Sequence, residues 1–177
     1  MIRPGQPERK PEKRCSTNNA RVESVATKPT FGHAWRKGQR CLVPADWYAE
    51  PNWETGKNIW WHLRRSDGTP WFLAGLWSEW TDQETREVVP NFTLITCNCD
   101  HHPLLSRLHK PDLQLPPDQQ GKRSLVHLAS TRWEQWLHGT TEEVLQLIAP
   151  QPVEVFGQED ARRTDALLGD SASGSLF

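Results

Sequence analysis

No stretch of this 177-residue chain approaches the roughly 18 to 20 apolar residues of a membrane span, and no apolar run near Met1 has the form of a secretory signal. A membrane protein is therefore excluded as an expectation, and the chain reads as cytoplasmic. Cysteine is scarce: Cys15, Cys41, Cys97 and Cys99 lack disulfide-framework spacing, so reduced thiols are expected. Methionine occurs once and proline fourteen times, which argues against a helical bundle. No H-E-x-x-H pair is present, and no segment repeats at a fixed period. The net charge of −1 gives no global attraction to nucleic acid. Only 36% of residues are hydrophobic, so much of the apolar burial must come from the ten tryptophans. The length suits one core.

The charges that are present are unevenly placed. Residues 1–40 hold ten Lys/Arg against Glu8, Glu12 and Glu23, a surplus of seven cations, so the remainder carries a surplus of eight acids. That asymmetry describes either a solvated face or an anion-binding one. Residues 1–15 are polar, proline-punctuated and aperiodic, as in an extended loop. Phe31, Ala34 and Trp35 after Pro29 have helical spacing. A strand is expected at Cys41–Val43, ended by Pro44, which has no N–H for a ladder. "NIWWHLRR", "TPWFLAGLWSEW" and "VVPNFTLITCNC" read as β-rich runs joined by turn signals, a set of hairpins or a meander. Leu104, Leu105 and Leu108 share a helical side, "RSLVHL" is a short strand, and "STRWEQWLHG" and "TTEEVLQLI" read as capped helices. The pattern is α+β. From Gln158 onward the chain is polar and expected to be disordered, so residues 1–150 form the domain and 151–177 a tail.

Three polar islands stand out: Asn18, Asn19, Arg21 and Glu23; Asp46 and Glu50; and His109 in "RLHKP". "CNCDHH" invites a metal reading, but C-x-C on a strand points both sulfurs to one face, so no metal is expected there. His33, His62, His127 and His138 are read as structural. The tryptophans are read mostly as core, with Trp35, Trp47 and Trp53 close enough to the islands to stack on bases.

"TNNARVESVATKPTFGHAWRKGQRCLVPADWYAEPNWETGK", then "FLAGLWSEW", "FTLITCNCDHHPLLSRLHKP" and "RSLVHL", resemble in order the SRAP family, the SOS-response-associated peptidases that process abasic sites in single-stranded DNA. "EPNW" and "HKP" resemble its phage-associated bacterial branch. The resemblance implies a β-barrel-like bifurcated antiparallel sheet flanked by short helices. It implies a chemistry as well, in which the α-amine of an N-terminal cysteine attacks the ring-opened sugar aldehyde and its thiol closes a thiazolidine. By the same resemblance Asn19 positions the nucleophile, Glu50 is the acid/base and His109 assists imine chemistry. Arg21 grips phosphate, with Lys28, Arg36 and Trp47 also on DNA. The partner implied is single-stranded DNA carrying abasic sites, bound by a monomer without cofactor or metal. "MIRPG" resembles the interior of the family's "WGLIPPW" segment, and Ile2 stands where the cysteine is expected. The N-terminal strands and the nucleophile are therefore expected to be missing, and crosslinking by this chain is not expected. Cys15 offers only an amide nitrogen, which cannot form an imine. The alternatives are a non-catalytic single-stranded DNA binding module and a peptidase in the literal sense of the family name.

Overall fold

A forked β-sheet organises the molecule, as seen in a computed structural model that describes residues 17–157. The leading loop, Cys15 and the tail from Gln158 onward lie outside the described residues, whereas Phe156, within the expected tail, is buried in the core. The strands are β1 (Asn19–Arg21), β2 (Arg40–Ala45), β3 (Tyr48–Asn52), β4 (Ile59–Leu63), β5 (Trp71–Thr81), β6 (Val88–Asn98) and β7 (Arg123–Leu125). The main sheet runs β1-β6-β5-β2 with β7 also on β6, and β3 and β4 form a separate hairpin. Among the described residues the barrel-like sheet does not close into a barrel. It is antiparallel except that β1 pairs parallel to β6.

The fork lies where β5 and β6 part, at the pair Gly75 and Leu94. Beyond it the segment from β7 onward enters the gap. Val126 donates to the Ile95 carbonyl of β6 and accepts from Ala74 of β5, and Leu128 donates to the Phe72 carbonyl. A Cβ on Gly75 would sit 2.8 Å from Cys41 Sγ and 3.1 Å from the Thr93 carbonyl oxygen, so only glycine lets three strands approach there.

Pro44 does not end β2, as its missing N–H had predicted, but lies inside it opposite Phe72. The Phe72 carbonyl is turned toward Leu128, so the Pro44 nitrogen points out of the sheet edge, where no donor is needed. The turn after β6 overturns a second expectation. Cys97 packs in one core cluster and Cys99 in another, because β6 ends at Asn98 and alternation ends with it.

The helices are α1 (Val22–Val25), α2 (Pro29–Arg36), α3 (Trp133–His138) and α4 (Thr141–Leu145). The capping box expected before α4 is present between Thr140 and Glu143, whereas α3 follows a 3₁₀ turn at Ser130–Arg132 and has no side-chain cap. Buried residues of α1 to α4 (Val25, Ala34, Trp35, Trp136, Val144) pack with Ala20, Ala74, Leu76 and Ile95 on one face of the sheet. On the other face Trp71, Leu73 and Leu125 pack with Leu63 of β4 and with Leu104, Leu105 and Leu108. Those three leucines are buried as their spacing predicts, but around a 3₁₀ turn, Leu105–Arg107, rather than an α-helix. Core burial holds for Trp35, Trp71 and Trp136, while Trp47, Trp60, Trp77 and Trp80 are exposed. Trp35, 3% exposed, is not available to a base.

Candidate active site

The β3–β4 hairpin lies on the second core cluster and carries Glu50. Alternation along β3 sends Tyr48, Glu50 and Asn52 to one side, with Tyr48 packed on that cluster, so Glu50 faces inward. The segment after Leu105–Arg107 runs beside β3: Leu108 bridges to Asn52, and the His109 N–H donates to the Pro51 carbonyl at 2.6 Å. This brings His109 Nε2 to 3.4 Å from Glu50 Oε2.

His109 adopts φ +63°, a left-handed conformation that a residue with a Cβ takes only when its surroundings impose it. The buried Lys122 supplies the restraint: its Nζ donates to the His109 carbonyl at 2.6 Å. The next residue holds the ring, since His109 Nε2 lies 3.2 Å from the Arg123 carbonyl. A carbonyl can only accept, so Nε2 carries the proton and Nδ1 is left as the acceptor. The Gly121 and Lys122 backbone N–H groups both donate to the Asp100 carboxylate, which pins the strap that grips His109. The Arg123 guanidinium makes a paired contact with Glu23 of α1, at 2.8 and 2.9 Å. That pairing holds the Glu23 carboxyl below the ordinary carboxylate range.

At neutral pH the Glu50–His109 contact is not an ion pair of full charges. Burial raises Glu50 from 4.5 to about 7. The same desolvation lowers His109, against the support of the Arg123 carbonyl, so the imidazole is neutral. The Glu50 side chain is only 17% exposed. A carboxyl titrating near 7 beside a neutral imidazole can give and take a proton at cellular pH. Deeper in the same cluster, His127 Nε2 lies 3.1 Å from the Tyr48 hydroxyl; burial lowers this histidine to about 3, consistent with a structural part.

The remaining site residues are placed less evenly. Asn19 and Arg21 are exposed and flank the buried Ala20, so both side chains share the face opposite the one Ala20 packs on. The partner of Asn19 across the ladder, Leu94, packs on the cluster that carries the Glu50 hairpin. Asn19 and Arg21 thus belong to the Glu50–His109 side of the sheet. Lys28 and Arg36 do not, because α2 packs on the opposite face. Both are exposed, and Arg36 Nη1 donates to the Ala26 carbonyl. Trp47 is 43% exposed and stacks on His62 with ring centroids 3.9 Å apart, one ring face being covered by that partner. Asp46 is exposed. The sequence reading missed Lys122 and Arg123. A basic pair at the start of a strand is ordinary, and only the buried position of the lysine marks it.

Fold and site together define a mixed α+β protein with a forked sheet and a half-buried carboxyl–imidazole pair on one side of it. The chain belongs to the SRAP family: the family model described as SOS response associated peptidase (SRAP) matches residues 4–160. A crystal structure of a Bordetella bronchiseptica protein is similar at 31% identity and TM-score 0.71, over 78% of this chain and 62% of that one. A Bacteroides thetaiotaomicron protein is similar at 26% identity and TM-score 0.65, over 78% of this chain and 55% of that one. A phage-related protein from Bordetella bronchiseptica, 19% identical with TM-score 0.51 over 78% of this chain and 60% of that one, shares the fold. The chain thus spans less than two thirds of the length of these relatives. No curated protein matches it. The family's description associates it with the SOS response. Among the described residues no helix is long and apolar enough to cross a membrane.

Proposed function

We propose that this chain recognises abasic sites in single-stranded DNA, acting as a cytoplasmic monomer, with the Glu50–His109 pair receiving the ring-opened sugar. The observation that carries the reading is the 3.4 Å contact between a carboxyl raised to about 7 and a neutral imidazole held in a left-handed backbone. An imine forms from an amine and an aldehyde through a carbinolamine. Nitrogen gives up a proton and the hydroxyl must gain one to leave as water. Glu50, populated in both protonation states near pH 7, does both in turn, and His109 keeps it in place. Asn19 would orient the sugar, Arg21 a phosphate, and Trp47 a base. Lys28 and Arg36 would track the strand beyond the sheet edge. The N-terminal α-amine that the family resemblance implies is not among residues 17–157, so the proposal covers lesion recognition and proton transfer.

Fluorescence anisotropy with single-stranded oligonucleotides tests it. An oligonucleotide with one abasic site should bind more tightly than its intact counterpart, and Glu50→Gln should remove that preference while leaving intact-strand binding in place. Equal affinity for both oligonucleotides, unchanged by Glu50→Gln, would leave a non-catalytic single-strand binder.

A further inference from the structure

A cavity of about 340 Å³ opens beside the site and shares His109 and Lys122 with it. Trp53 and Pro117 give it flat apolar surface, and Leu113 and Leu115 form a lip. Leu113 is 93% exposed and Leu115 45%, an unusual display of aliphatic surface around a concavity. The lip is built to hold its shape. Gln120 accepts from the Asp112 N–H and donates its amide to the carbonyls of Asp112, Leu115 and Pro116, and Asp112 Oδ1 accepts from the Gln114 N–H.

Charge narrows the choice of occupant. The two lining cations are both engaged, Arg107 by a two-point contact with Glu54 at 2.7 and 3.0 Å and Lys122 by the His109 carbonyl. Asp112 adds a negative charge to the wall. A phosphate would find no uncommitted cation inside, whereas a neutral, planar, largely apolar group fits. Lys110, with its ammonium 5.3 Å from the Trp53 ring centroid, stands next to the cavity where a backbone phosphate would pass.

We propose that this cavity holds one unstacked nucleobase of the bound strand, the immediate neighbour of the sugar at Glu50–His109. The inference rests on the function proposed above, since His109 is the wall common to both sites. Trp53 supplies the stacking surface, the Leu113–Leu115 lip closes over the ring, and Ser106 and Gln120 add polar groups to the wall. Recognition then reads a pair of positions, a sugar without a base followed by a base without a stacking partner.

The test uses the full chain and oligonucleotides carrying a tetrahydrofuran site, a stable abasic analogue. Either the 5′ or the 3′ neighbouring base is also replaced by tetrahydrofuran. One of the two replacements is expected to weaken binding by roughly five- to a hundredfold, the range for a base stacked on an aromatic side chain. Trp53→Leu and the exposed pair Leu113→Ser/Leu115→Ser should bind the single-site oligonucleotide with that same loss and show no further loss when the neighbour is removed. Indifference of the unmodified chain to both replacements, with preference for the tetrahydrofuran site retained, overturns the cavity assignment and spares the site. Continued sensitivity in the variants overturns it too. If no preference for tetrahydrofuran over intact strand exists, the site reading fails and this inference falls with it.

Discussion

Replacing Glu50 by glutamine should make the protein more stable at alkaline pH, the opposite of what losing a polar contact usually does. Glu50 is raised from 4.5 to about 7 by burial. A carboxyl with a folded-state pKa above its unfolded value binds its proton more tightly when folded. Its ionisation therefore costs nothing well below 4.5, costs progressively more from 4.5 up to about 7, and stays at full cost above. The 17% exposure of the side chain keeps solvent screening small. At about 1.4 kcal/mol per unit, the cost is about 1 kcal/mol at pH 5 and about 3 kcal/mol at pH 8.5. Glutamine has the same shape and cannot ionise, so the variant should exceed the parent by about those amounts. The burial-lowered His127 pushes the opposite way, since it loses stability as pH falls below 6.5, but it is common to both proteins and cancels. His109, lowered likewise, touches Glu50, so the comparison at pH 8.5, where the imidazole is neutral folded and unfolded, carries the test. Urea unfolding of the two proteins at pH 5 and pH 8.5 measures the difference directly. A stability gap that does not widen with pH, or a variant less stable at both, would refute a near-neutral pKa caused by burial.

Other expectations are shorter. His109→Gly should be more stable than His109→Ala by roughly 1 kcal/mol in thermal melts, because φ +63° suits glycine and strains alanine; equal melts would mean that the backbone relaxes. Lys122→Met should cost about 2 kcal/mol for the lost charged hydrogen bond and disturb the His109 imidazole resonances in an NMR titration, where an unmoved His109 signal would separate the lysine from the site. Arg21→Ala should lower affinity for intact and abasic single strands alike and reduce the slope of log affinity against log salt by about 0.7, the contribution of one phosphate. Thr140→Ala removes a capping box and should cost about 1 kcal/mol without touching DNA binding; a change in binding would place α4 nearer the site than its packing does.

Much of this protein was legible before any coordinates. Runs of β-branched and aromatic residues marked β4, β5 and β6, Pro29 and the spacing of Phe31, Ala34 and Trp35 marked α2, and Thr140 with Glu143 marked the start of α4, because each signal is complete within a few neighbouring residues. Glu50 and His109 stood out as polar islands, but their roles were legible only through resemblance to the family, for nothing local gives a function to a glutamate after a strand or a histidine before Lys-Pro.

Tertiary structure decided what depends on distant segments meeting. The fork at Gly75 needs Cys41 and Thr93 to crowd one α-carbon, and Pro44 is tolerated in β2 only because Leu128 takes the Phe72 carbonyl. The grip on His109 joins Pro51, Lys122 and Arg123, three residues with no common spacing, around its left-handed backbone. The near-neutral titration of Glu50 is likewise invisible in its neighbours along the chain. It arises because folding takes the carboxyl out of water and leaves a neutral imidazole, rather than a cation, beside it.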